Sequence, residues 1–301
     1  MTQIGLLDIG VKNKTNDHEY LNEVLKIVKK AEDLGFTRYW LGEHYSPSLA
    51  WWNPELLIGI LAGITDEIKI GIAGTLINMH APTRVAQNFK LLNYFFNGRI
   101  DMGIAKGIPK NSTLLEVLSD HPITIDNFIN KATSLIDFLR ESTNAAISKH
   151  NIIIPPRGVP PPEIWILGSS TNSLPLVLEL NVHFCLSLFH NLDHQYLPEK
   201  MQQFKEQYFE RYNAFPKVSI SVLGFCAETN TKAQHLKESY GIKGFYPNII
   251  GTPQECEEQL INLQHKFQVD EIIYLDICPF EERMFTLMAL HEFFSLSQGI
   301  K

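Results

Sequence analysis

Short apolar runs alternate with amphipathic stretches along this chain from one end to the other. Strict alternation of strand and helix admits little besides a parallel sheet covered by helices. The run from Ile4 to Ile9 suits a strand buried on both faces. After Asn16-Asp17, residues His18 to Leu34 repeat Leu21, Val24, Leu25, Val28 and Ala31 at three-to-four spacing, which predicts a helix stopped by Gly35. The unit then recurs, with strands predicted from Tyr39 to Gly42, Ile68 to Leu76 and Ile100 to Ile104. Helices are predicted from Pro54 to Thr65, Pro82 to Phe96 and about Ile123 to Arg140.

Beyond a Pro-rich stretch, Ile154 to Pro162, the alternation resumes. Strands are predicted from Glu163 to Gly168, His183 to Leu188, Val218 to Cys226 and Glu271 to Ile277. Helices are predicted from Ser173 to Leu180, Pro198 to Asn213, Thr231 to Tyr240, Pro253 to Phe267 and Glu281 to Leu296. Eight strands with their helices match the count of a closed (β/α)8 TIM barrel, with a doubly wound open sheet as the competing arrangement. Because the pattern continues on both sides of the Pro-rich stretch, that stretch reads as an insertion before the fifth strand. Residues 1–301 then form one barrel domain.

Composition narrows the function. The chain has 301 residues, 45% hydrophobic and 20% charged, as an ordinary globular protein has. A net charge of −7 without a basic stripe argues against nucleic-acid binding. No apolar run approaches the ~18–20 residues of a membrane span, and the N-terminus lacks a signal-peptide pattern. Cys185, Cys226, Cys256 and Cys278 are widely spaced with no C-x-x-C, as in a reduced cytoplasmic protein without disulfides or a zinc site.

In a barrel of this type the chemistry sits where the strands end. The polar residues at those places are Glu43, His44 and Tyr45, then Asn78 and His80, then Lys106, then Gly168-Ser169-Ser170-Thr171, then His190 and Asn191. No two glycines lie two positions apart, so the G-x-G-x-x-G dinucleotide fingerprint is absent. No metal-ligand cluster stands at convincing spacing. Gly168 to Thr171 turns from strand to helix, where hydroxyls and free N–H groups suit an anion and Lys106 adds charge. Ser and Thr also simply cap helices, so both readings stand. Glu43 reads equally as a catalytic carboxylate and as an anchor of the barrel rim. His80, before Ala81-Pro82, reads as loop packing. Arg99 and Asp101 read as a structural ion pair. Trp51 and Trp52 read as the substrate mouth or a dimer surface.

The segment AEDLGFTRYWLGEHY (Ala31 to Tyr45) resembles the second-strand region of the bacterial-luciferase-like family of flavin-dependent oxidoreductases. The resemblance continues through IKIGIAGTLINMHAPTRVAQNF (Ile68 to Phe89), NGRIDMGIAKG (Asn97 to Gly107), PEIWILGSS (Pro162 to Ser170) and GTPQECEEQL (Gly251 to Leu260). It implies a TIM barrel that holds FMN or a related flavin at the strand C-termini. Lys106 falls where the family usually carries an Arg against the flavin phosphate, and Ser169 falls on its phosphate-contacting serine, flanked by Gly168 and Ser170. Ala73-Gly74 matches the family's non-proline cis peptide beside the flavin ring. His44 matches its active-site histidine, and Tyr45 replaces what is often a second histidine.

The resemblance implies an FMNH2-dependent monooxygenase acting on a small organic substrate or natural-product intermediate, supplied with flavin by a separate reductase. The alternatives are a flavin-, deazaflavin- or NAD(P)H-dependent reductase of an activated C=C or C=N bond, as in dehydroamino acids of a modified peptide, or a non-catalytic flavin-binding protein. Relatives commonly pair through the helix carrying Leu56, Leu57, Ile60, Leu61 and Ile64, which implies a homodimer.

Overall fold

The computed structural model describes residues 3–13, 15–109, 111–119, 124–140, 152–191 and 195–297. Among these residues are nine strands: β1 (Gln3–Asp8), β2 (Arg38–Leu41), β3 (Lys69–Leu76), β4 (Ile100–Ala105), β5 (Glu163–Gly168), β6 (His183–Ser187), β7 (Val218–Cys226), β8 (Ile249–Gly251) and β9 (Glu271–Leu275). Between and after them lie α1 (Asp17–Asp33), α2 (Glu55–Gly63), α3 (Pro82–Phe95), α4 (Ser112–Leu118), α5 (Ile125–Arg140), α6 (Leu174–Leu180), α7 (Leu197–Tyr212), α8 (Asn230–Tyr240), α9 (Pro253–Phe267) and α10 (Phe280–Ser297).

Strands β1 to β7 pair in sequence, all parallel, and β9 closes the ring between β7 and β1. The result is the closed eight-stranded barrel that the alternation predicts, with β8 as a short addition beside the end of β7. No helix among the described residues is long and apolar enough to cross a membrane. Helix boundaries follow local chemistry. The Asn16 side chain accepts the Glu19 N–H at the start of α1, and Gly35 just beyond its end takes φ +77°, a conformation glycine adopts without steric cost.

Successive strand residues face opposite ways, which builds two cores. Outward residues such as Tyr39, Leu41, Ile70, Ile72 and Ile104 pack against the helices, and inward residues such as Leu7, Trp40, Trp165, Cys185 and Leu275 fill the barrel. The floor of the interior is charged. Buried Arg38 bonds Asp101 at 2.6 Å, Glu271 at 2.8 Å and Glu163 at 3.3 Å. Its guanidinium lies 5.2 Å and 4.9 Å from the ring centres of Trp40 and Trp165. Gly5 makes room for it, since a Cβ there would come within 2.4 Å of Arg38 Cγ.

This floor corrects the pairing expected for Asp101. Its cation is Arg38, across the barrel interior, whereas Arg99 bonds Thr65 Oγ1 at 3.2 Å and the Ala62 carbonyl on the outside. A second buried charge joins the first strand to the last helix. Asp8 Oδ2 accepts from Arg283 at 2.7 Å and Tyr39 at 2.6 Å, while Oδ1 accepts from Tyr20 at 2.7 Å and the Gly10 N–H at 2.8 Å. Burial alone would raise the Asp8 carboxyl, but Arg283 and these donors outweigh it and hold it below the usual range.

The Pro-rich stretch before β5 lies against α3. Buried Lys90 donates to the Ile154 carbonyl at 2.8 Å, and Asn93 donates to the Pro160 carbonyl at 2.7 Å. The Pro155–Pro156 bond is cis. Residues 141–151 of the connection, and Ile123 at the expected start of α5, lie outside the described residues.

Candidate active site

The site forms at the C-terminal ends of β2 to β6. Beyond β2, Glu43 is fully buried and accepts three bonds: from Tyr45 Oη at 2.6 Å and His80 Nε2 at 2.6 Å on Oε1, and from the Leu76 N–H at 2.9 Å on Oε2. Arg84, which can only donate, reaches His80 Nδ1 at 2.9 Å. His80 Nδ1 is therefore the acceptor and Nε2 carries the proton to Glu43. Arg84 in turn holds Glu55 at 2.8 Å. Both Glu43 oxygens are engaged within the protein at the rim of the barrel. Burial raises the Tyr45 hydroxyl, and the charge and hydrogen bond of Glu43 push it further, so it stays protonated.

His44 differs from its neighbour. Its Nδ1 is buried without a hydrogen-bond partner. Burial lowers its pKa below the ordinary value of 6.5, and the nearby Glu43 charge only partly opposes this, so the ring is neutral at pH 7. The loop that follows folds back over β1: Trp51 Nε1 donates to the Gly42 carbonyl at 3.0 Å, and its ring lies 5.9 Å from that of Tyr20. Trp51 is thus a buried seal, while Trp52 stays partly exposed beside Tyr45.

In the C-terminal half of β3 the Ala73–Gly74 peptide is cis, as the resemblance implies. The β3–β4 register shifts between Ile72 and Thr75. Just beyond, Thr75 Oγ1 and Asn78 Oδ1 are buried with no partner. Lys106 follows the end of β4, exposed and without an ion pair among the described residues. Since Ala105 pairs with Leu167, continuing that register sets Lys106 beside Gly168, one residue from Ser169.

Ser170 Oγ accepts the Asn172 N–H at 3.4 Å, which is capping, whereas Ser169 is exposed. Asn191, after β6, donates through Nδ2 to the Ser169 carbonyl at 2.6 Å and the Ser187 carbonyl at 3.2 Å. His190 Nδ1 lies 2.8 Å from Ser187 Oγ, and its ring stands 4.5 Å from Phe189 and 5.0 Å from Phe245.

His44, Ala73-Gly74, Lys106 and Ser169 thus lie on or just past the C-terminal halves of four consecutive strands, an arc of roughly 14 Å at the usual interstrand spacing. One end holds a neutral imidazole and unpartnered polar atoms among apolar neighbours. The other holds a cation and a hydroxyl. This donor set fits an elongated cofactor with a ring at one end and a phosphate at the other. Two contributors escaped the sequence reading: the Glu43–His80 pair, whose members are 37 residues apart, and the Asn191 bridge, whose ends are 22 apart. Among the described residues no group of three or more His, Cys, Asp or Glu is arranged to hold a metal ion.

The family model described as luciferase-like monooxygenase matches residues 3–268. The N-acetyl-S-alkylcysteine monooxygenase of Bacillus subtilis (strain 168) is 26% identical, the match covering 83% of this chain and 76% of that protein. Among solved structures, apo-MsnO8 superposes with a TM-score of 0.85 at 21% identity, covering 98% of this chain and 99% of the other. The oxygenating constituent of 3,6-diketocamphane monooxygenase from Pseudomonas putida, solved in complex with FMN, gives 0.71 at 16% identity and 96% coverage of both chains.

Proposed function

The chain belongs to the luciferase-like monooxygenase family, and from that premise we propose that it is a flavin-dependent monooxygenase using reduced FMN to oxidise a small organic substrate. The carrying observation is the four-strand arc, with its cation and hydroxyl at one end and the neutral, partly unpartnered His44 at the other. Lys106 and Ser169 hold the phosphate by charge and hydrogen bond. Ala73-Gly74 and the apolar wall beside it receive the ring. When bound, the flavin supplies the redox chemistry, activating O2 with its own electrons.

The protein's residues position and protect. His44, neutral because burial disfavours its charged form, accepts a proton from the reacting centre and returns it. Glu43 positions rather than reacts, since its bonds to Tyr45, His80 and Leu76 pin the backbone from which His44 projects. Aromatic residues at the mouth, Phe189 and Phe245 among them, limit the access of water. With no dinucleotide fingerprint in the sequence, the reduced flavin is delivered by a separate reductase.

Two protomers associate through α2 and α3, which expose the apolar residues Leu56, Ile60, Tyr94 and Phe95. The deciding experiment is an anaerobic titration of the purified protein with FMN, FMNH2, deazaflavin and NADPH, followed by admission of O2. Tight FMNH2 binding with O2-dependent consumption supports the monooxygenase. Stoichiometric NADPH binding with O2-independent turnover replaces it with a reductase.

A further inference from the structure

Strands β5 and β6 pair in register from Trp165 with His183 to Gly168 with Leu186. One residue further, the same register sets Ser169 opposite Ser187, where the two backbones no longer bond directly. Asn191 fills that missing rung: its single side-chain amide donates to both carbonyls, 2.6 Å to Ser169 and 3.2 Å to Ser187. Asn191 is itself fixed, because its N–H donates to the Leu188 carbonyl at 2.9 Å. The short turn Leu188–His190 is also tied at its centre, where Tyr246 donates to the Phe189 carbonyl at 2.7 Å. The anchored turn therefore reaches back and clamps the first residue after β5.

We infer that Asn191 is a positioning residue for the cofactor's phosphate, holding Ser169 in the orientation that binds it; this rests on the flavin reading above. Ser169 leaves the barrel into extended backbone at Ser170, φ −150° and ψ 170°, before the next turn of helix begins. Without the clamp, the Ser169 carbonyl loses its partner and the hydroxyl and N–H beside it sample orientations that no longer converge with Lys106. Preorganisation of donors, and not their mere presence, sets how tightly an anion is held. Asn191 does not itself touch the phosphate, so its effect falls on the phosphate-dependent part of binding alone.

The test compares dissociation constants for FMN and riboflavin, which share the ring and differ in the phosphate, in the full-length protein and in Asn191→Ala and Asn191→Asp. In the parent protein FMN binds more tightly than riboflavin. Asn191→Ala reduces that ratio about tenfold, leaves riboflavin binding unchanged and increases amide exchange in the peptide spanning 166–176. Asn191→Asp, whose carboxylate faces two carbonyl oxygens, reduces the ratio further. An equal loss for both flavins overturns the inference, since that marks general damage to the fold. A ratio that Asn191→Ala retains in full overturns it while leaving the flavin reading intact. A parent protein that binds both flavins equally removes the phosphate assignment, and the inference falls with it.

Discussion

His80 Nε2 lies 2.6 Å from Glu43 Oε1, and because Arg84 donates to the other ring nitrogen, the proton between them belongs to His80. The pair joins the loops after β2 and β3 at the rim of the barrel. Removing the acceptor strands three donors at once, two of them on side chains packed beside the site. Glu43→Ala is expected to cost about 3 kcal/mol of stability, the usual penalty for breaking a buried, hydrogen-bonded pair. Urea unfolding measures it, and Tyr45→Phe, which deletes one donor and leaves Glu43 in place, should cost about 1 kcal/mol.

With His44 as the proton acceptor proposed above, its titration sets the acid side of activity. Its folded-state pKa is below 6.5 and the neutral ring is the competent form, so activity falls only as pH drops through that lowered value. A kcat/KM profile should therefore show an acid limb with its midpoint below pH 6.5. His44→Ala should lower turnover about 100-fold and abolish that limb. A variant that keeps the limb assigns it to another group.

Lys106 supplies charge but not the two-pronged geometry of a guanidinium. Lys106→Arg should tighten FMN binding several-fold, and Lys106→Ala should weaken it about tenfold, both with little effect on riboflavin. Fluorescence titration of the two flavins reads the difference directly.

At the floor of the barrel, burial lowers the His183 imidazole to about 4, against the opposing charge of Glu163. The unfolded chain takes up this proton near pH 6.5 and the folded chain does not, so stability present above 6.5 drains away as pH falls toward 4. That loss amounts to roughly 3 kcal/mol. Urea midpoints of His183→Gln should decline less steeply than those of the parent protein between pH 6.5 and 4.

Leu56 is 87% exposed on α2, and Phe95 is 71% exposed on α3. If this face pairs two protomers, Leu56→Glu should shift the sedimentation profile from dimer to monomer at micromolar concentration without changing the circular dichroism spectrum. A parent protein that sediments as a monomer would falsify the pairing.

The barrel was legible because each strand is an apolar run of five or more residues or is bounded by a well-marked helix. The element that escaped, β8, has three residues and no period to detect. Helix α4, also unforeseen, buries none of its residues and so carries no core-facing stripe. Within the site, His44, Lys106 and Ser169 could be located because they follow strands at recognisable positions. The partners that orient the site could not be. Glu43 meets His80 across a loop, Ser169 meets Asn191 across a strand pair, and Asp101 meets Arg38 through the barrel interior. Each is a contact between elements, invisible to local spacing. Arg99, two positions from Asp101, is the nearest cation in sequence, but it precedes β4 and its guanidinium turns outward to Thr65 and the Ala62 carbonyl.

The bond between Asp8 and Arg283 spans 275 residues. A ribosome makes Asp8 long before Arg283. While those residues are being added, β1 carries a carboxylate meant for the interior without the cation that makes its burial tolerable. The strand that must seal the ring beside it, β9, also arrives late. The emerging chain can assemble βα units one by one, but the first of them must wait in solvent for β9, so the ring closes only after every other barrel strand has been made.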